Sequence, residues 1–140
     1  MEAIEEMKKE KIMFCSGIHH VALICSSYEV SKKFYTEILG FEILQETYRS
    51  ERKSYKLDLA IPGGGQLELF SFENPAKPPS RPEACGLRHL AFRVNDLDAA
   101  VQFLQERGIT CEAVRVDDLT GKRFTFFKDP DDLPLELYEN

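Results

Sequence analysis

The chain has 140 residues, 43% of them hydrophobic and 30% charged, with a formal net charge of −6 and a pI near 5.1. That length suits one domain with a real core and leaves no room for a second. The acidic balance argues against a nucleic-acid surface or a polybasic membrane patch, and the composition is that of an ordered globular chain, not a disordered one.

No run approaches the roughly 20 apolar residues of a membrane span. The acidic start MEAIEE lacks the basic and apolar regions of a signal peptide. A cytoplasmic location is therefore expected, with no membrane partner. Cys15, Cys25, Cys85 and Cys111 show no CxxC or other metal spacing and read as reduced, mostly buried thiols.

Residues 1–16 are charged and read as an N-terminal arm. Residues 17–25, GIHHVALIC, form an apolar stretch bounded by Ser-Gly and Ser-Ser, the pattern of a short strand. Alternation along a strand places Ile18, His20, Ala22 and Ile24 on one face, and turns His19 away from His20. Ser26 with Glu29 three residues later predicts a capping box for a helix over 28–39, packed through Val30, Phe34 and Ile38 and stopped by Gly40. Strands follow over 41–48, 54–61 and 66–72, the last two joined at Pro62-Gly63-Gly64-Gly65, where glycines supply turn conformations. This order is β-α-β-β-β.

The order then repeats. Residues 74–85 contain Pro75, Pro78, Pro79 and Pro82 and read as an extended linker. Beyond it lie a strand over 87–94, a helix over 97–107 capped near Asn95-Asp96, and strands over 109–116, 123–128 and 134–139. GIHHVAL matches GLRHLAF, and PGGGQLEL matches PDDLPLEL. His20 thus recurs as His89 and Glu68 as Glu136. The chain divides into module 1 (17–73), the Pro-rich linker (74–85) and module 2 (86–140), a duplication and not a solenoid. The fold class is α+β, two tandem βαβββ modules.

Strand phase locates the chemistry. Leu67 and Leu69 flank Glu68, and Leu135 and Leu137 flank Glu136. If the leucines pack against the helices, both glutamates point to the opposite, concave face. The same phase puts Leu90, Phe92 and Val94 in the core and His89, Ala91 and Arg93 on the concave side. Two histidines and two glutamates then leave the sheets at matching positions. Facing carboxylates in a cleft are costly unless a cation lies between them, so His20, Glu68, His89 and Glu136 predict a divalent metal site.

HHVAL, FYTEILGFE, RPEACGLRHLAF and KRFTFFKDPDDLPLELYE together resemble the vicinal oxygen chelate superfamily, and within it the glyoxalase I-type proteins, over residues 17–138. The resemblance implies a curved sheet around a metal-binding cleft, the glyoxalase/bleomycin resistance/dioxygenase fold. It carries the metal positions onto His20, Glu68, His89 and Glu136. One departure is Asp132, which stands where the family's DPDG turn commonly has glycine.

The implied cofactor is one divalent metal ion per site: Zn or Ni, with Co or Mn also compatible with two imidazoles and two carboxylates. The implied activity is that of a lactoylglutathione lyase-like, metal-dependent lyase or isomerase in detoxification. It would act on a small vicinal-oxygen substrate such as a thiol–2-oxoaldehyde adduct through a metal-stabilised enediolate. Glu136 is the candidate base, with Glu68 opposite it. Arg123 and Arg49 are candidate binders of a substrate anion, and Phe70 and Tyr138 candidate pocket walls. A non-catalytic small-molecule binder, and an epimerase or oxygenase on the same scaffold, remain as alternatives. The modules would pair within one chain or across a homodimer.

Overall fold

A computed structural model describes residues 16–77 and 85–140; the expected arm and the Pro-rich centre of the linker lie outside them. Two four-stranded sheets are present. In the first, β1 (His20–Cys25), β2 (Glu42–Arg49), β3 (Ser54–Ala60) and β4 (Gln66–Ser71) are ordered β1-β4-β3-β2. In the second, β5 (Leu90–Val94), β6 (Arg115–Val116), β7 (Arg123–Lys128) and β8 (Pro134–Glu139) are ordered β5-β8-β7-β6. Each sheet has one parallel pair, β1 with β4 and β5 with β8; its other pairs are antiparallel. Two βαβββ modules are therefore realised, and β1 and β5 are outermost in their sheets.

Helix α1 (Tyr28–Lys33) runs on as a π-helical turn over Phe34–Ile38. Its N-cap is Ser27, whose hydroxyl accepts from the Val30 amide. The expected Ser26 capping box does not form, because Ser26 bonds through both amide and hydroxyl to the Asp131 carboxylate. Of the expected stripe, Phe34 is buried and Ile38 packs against the core, but Val30 does not. Ser31, Phe34 and Tyr35 are buried while Val30 is exposed; the helix begins at Tyr28 as expected, and the π turn widens its pitch from Phe34 on. Helix α2 (Leu97–Glu106) follows the expectation: Asp96 caps it, and Leu97 and Leu104 are buried.

The expected strand over 109–116 shrinks to the two residues of β6. Upstream of it, the Glu112 amide donates to the Phe126 carbonyl. The Glu112 carbonyl, however, accepts from the Thr125 side chain, which displaces the ladder partner a strand needs. The hairpin at Gly63–Gly65 uses positive φ at all three glycines. Gly65 lies nearest β1, where a Cβ would be in ordinary contact with the Ile18 carbonyl at 3.5 Å. The next residue's amide, Gln66, donates to the His19 carbonyl and starts the β1–β4 pairing beside His20. Asp132 adopts φ +64, the left-handed conformation that suits glycine.

One hydrophobic core joins the modules. Leu57, Leu59, Leu67 and Leu69 from the first sheet, Phe127, Leu135 and Leu137 from the second, and residues of both helices belong to it. Phe34 meets Phe127, and Phe41 meets Phe92 edge-on. The Tyr35 hydroxyl, wholly buried, donates to Asp129 Oδ2 at 2.8 Å. Asp129 Oδ1 in turn accepts from the Asp131 and Leu133 amides, fixing the turn that leads into β8. The helical sides of the sheets therefore pack within the chain. Both glutamate-bearing faces are directed away from that core.

Candidate metal centre

The pairing of β1 with β4 sets Ala22 opposite Glu68, with His20 two residues before Ala22 on the same face. The pairing of β5 with β8 sets Ala91 opposite Glu136, with His89 two residues before Ala91. A small alanine beside each glutamate lets the histidine two residues upstream lean across. His20 Nδ1 lies 3.3 Å from Glu68 Oε2, and His89 Nε2 lies 3.4 Å from Glu136 Oε2. The flanking leucines are in the core and turn each carboxylate outward. Both glutamate side chains are nearly covered, at 11% and 13% exposure, while both imidazoles reach solvent.

The two pairs differ on their other flank. Opposite Glu68 on β3 stands Asp58, and Lys56 joins both, 3.4 Å from Asp58 Oδ1 and 3.7 Å from Glu68 Oε1. Opposite Glu136 on β7 stands Phe126, whose ring meets His89 edge-on at 5.2 Å. Among the described residues Glu136 Oε1 has no partner. Lys56 and Asp58 did not stand out in the sequence. Their signal was the alternation of SYKLDLA, which becomes informative only once β3 is known to neighbour β4 in register.

His20, Glu68, His89 and Glu136 do not converge. Among the described residues no three histidine, cysteine, aspartate or glutamate side chains form a group able to hold a metal ion. Each module supplies two donors, one imidazole and one carboxylate. The donor chemistry suits a divalent ion, and each half needs another half to complete a shell.

Other expected residues fall differently. His19 is not turned away from His20: their Nδ1 atoms are 3.0 Å apart, because β1 begins only at His20 and strand alternation does not reach His19. An open depression of about 270 Å³ lined by Ile18, His19, Leu44, Gly65 and Gln66 adjoins this corner. Arg123 lies on the helix side of β7, beside the buried Thr125 and Phe127, with ion pairs to Asp98 and Glu139 of 3.1 and 3.0 Å. It does not share the Glu136 face. Tyr138 does, and its hydroxyl donates to Asp117 at 2.8 Å. Phe70 follows Glu68 on the concave face of β4, and the Arg49 guanidinium lies over its ring at 4.8 Å. Burial pushes the Cys25 thiol up to about 11, in keeping with an inert structural cysteine.

Comparisons with known proteins agree with the two-module fold. Over 91% of this chain and 99% of its own length, the protein YwkD of Bacillus subtilis is 63% identical. YaeR of Escherichia coli is 60% identical over 87% of this chain and 95% of its own length. The crystal structure of a glyoxalase family protein from Enterococcus faecalis superposes with a TM-score of 0.85 at 53% identity, covering 91% of this chain and all of that one. Residues 17–137 match the profile of the Glyoxalase/Bleomycin resistance protein/Dioxygenase superfamily. The chain belongs to that superfamily.

Proposed function

We propose that the protein is a metal-dependent lyase or isomerase of the glyoxalase I type, acting as a homodimer on a small substrate with vicinal oxygens. The observation that carries this reading is the pair of matched His–Glu couples, built on equivalent strands and facing away from the shared core. A probable lactoylglutathione lyase of Vibrio parahaemolyticus is 30% identical over 88% of this chain and 90% of its own length, which supports the reaction class.

The second copy follows from the donor count. His20 and Glu68 of one copy would face His89 and Glu136 of the other, giving two imidazoles and two carboxylates per site. The outermost strands β1 and β5 offer unpaired edges there, and Ile18, Ile24 and Leu87 beside them are 59–80% exposed. Unpaired edges and adjoining apolar residues are the features an assembly covers. When bound, a divalent ion (Zn or Ni, with Co or Mn as alternatives) supplies Lewis acidity to two neighbouring substrate oxygens.

The residues then divide the work. Glu68 is committed on both oxygens, to His20 on one and Lys56 on the other, and acts as a fixed ligand. Glu136 keeps Oε1 unengaged beside Phe126 and is the proton acceptor. For a thiol–2-oxoaldehyde adduct, it takes the proton from the carbon bearing the hydroxyl and returns it to the adjacent carbonyl carbon, while the hydroxyl's own proton passes to the former carbonyl oxygen. Hydroxyl and carbonyl thereby exchange places with no external oxidant. Phe126, edge-on to His89, and Phe70, two residues beyond Glu68, give the site apolar walls.

The test is Glu136→Gln. It keeps the size and one oxygen donor but removes the acceptor, so turnover of hemithioacetals should fall about 10²–10⁴-fold. Glu68→Gln should act mainly through weakened metal binding and recover on raising the metal concentration. Equal, mild losses in both variants would overturn the assignment.

A further inference from the structure

We propose that Arg49 is the residue that selects the substrate, by binding an acidic group remote from the vicinal oxygens; this rests on the metal-chelating reading above. Arg49 ends β2 on the same concave face as Lys56, Asp58 and Glu68, since it pairs with Ser54 in the β2–β3 register. Its guanidinium lies over Phe70 at 4.8 Å and Phe72 at 5.8 Å. Nη2 donates to Ser54 Oγ at 2.9 Å, and Ser54 is wholly buried. The guanidinium is thus held on an aromatic floor by a fixed hydroxyl.

What it lacks is an anion. Among the described residues Arg49 has no carboxylate partner, its buried Nε has no acceptor, and Nη1 makes no hydrogen bond. The other cations differ. Lys56 serves Asp58 and Glu68, Arg115 pairs with Glu112 at 3.2 Å, and Arg123 serves Asp98 and Glu139 on the opposite face. Arg93 shares the concave side of module 2 but stands exposed, with no aromatic floor. In a chain of net charge −6, an unpaired, pre-oriented guanidinium beside a metal-ligand face suits a carboxylate or phosphonate, bound through its fork of donors.

Spacing narrows the substrate class. Phe70 is two residues beyond Glu68, on the order of 7 Å along an extended strand. A group on Arg49 therefore sits about five to six bonds from the chelating oxygens, at the roughly 1.2 Å per bond of an extended chain. Substrates are vicinal-oxygen compounds with a distal acid. Short neutral adducts and simple 2-oxoacids do not reach.

The experiment uses Co(II)-loaded full-length protein and hydroxamates as probes, since a hydroxamate chelates through two neighbouring oxygens. Affinities are read from the cobalt spectrum for 6-(hydroxyamino)-6-oxohexanoic acid and for its methyl ester. The wild type should prefer the acid by about tenfold or more, the scale of one charge-assisted bidentate contact. Arg49→Gln should erase that preference while binding the ester normally, and Arg93→Gln should keep the preference. Equal affinities in the wild type, a preference that survives in Arg49→Gln, or one lost in Arg93→Gln instead would overturn the proposal. If neither probe perturbs the cobalt spectrum, the chelating site itself fails and the proposal falls with it.

Discussion

The Tyr35–Asp129 hydrogen bond is a buried polar clasp between the modules, and its removal has a calculable cost. Tyr35→Phe keeps the ring against Phe34 and Phe41 and deletes only the hydroxyl. Asp129 Oδ2 then loses its donor at a site 9% exposed, where little water can substitute, while Oδ1 keeps two amide donors of 2.8 and 2.9 Å. Hydrogen bonds to charged groups contribute about 1.5–3 kcal/mol. With two of three donors retained, a loss of about 2 kcal/mol is expected, or a Tm lower by roughly 6–10 °C for a chain of this size. Urea unfolding of wild type, Tyr35→Phe, Asp129→Ala and the double variant measures it. The single losses should be strongly sub-additive, with a coupling above about 1 kcal/mol. Additive losses, or a Tyr35→Phe cost below about 0.5 kcal/mol, would refute the clasp.

Two further outcomes follow from local physics. Asp132→Gly should raise stability by about 0.5–1 kcal/mol, since a non-glycine residue at φ +64 carries a left-handed penalty of that order for Asp; an unchanged urea midpoint would contradict this. Burial holds the Asp129 carboxyl above its usual range, against the opposing pull of the Tyr35 hydroxyl and the Leu133 and Asp131 amides. The folded state therefore holds that proton more tightly than the unfolded one. The stability this group contributes is full below its unfolded value near ~4 and is lost as pH rises through the raised folded value. Relative to Asp129→Asn, wild-type stability should decline over that window, and a relative rise would reverse the assignment.

The duplication and the outward face of both glutamates were readable in the sequence because strand alternation and two copies constrain each other. Leu67 and Leu69, with Leu135 and Leu137, fix the phase of Glu68 and Glu136 without any tertiary knowledge. Where alternation had no ladder to enforce it, the reading failed. His19 lies before β1 begins, and residues 109–114 keep only the Glu112 amide bond to the Phe126 carbonyl once Thr125 takes the Glu112 carbonyl. Ser26 scored as a cap because its spacing to Glu29 was right, and nothing local revealed the Asp131 carboxylate that takes it. Arg123 illustrates a different limit: residue type suggested an anion binder, but strand phase placed it on the helix side beside Asp98. The contrast between Lys56 beside Glu68 and Phe126 beside Glu136 depends on which strands adjoin and in what register. That information is long-range, and hydrophobic periodicity does not carry it.

The central claim is that each metal site combines the His20–Glu68 half of one copy with the His89–Glu136 half of another. The direct measurement mixes two inactive variants. His20→Ala and His89→Ala should each lose tight metal binding when purified alone. Co-refolded in equal amounts, half the dimers are mixed, and each mixed dimer regains one intact site built from its two unaltered halves. Bound metal and turnover should then return to about a quarter of the wild-type level. A mixture that recovers neither metal nor activity, although mixed dimers form, would contradict the account.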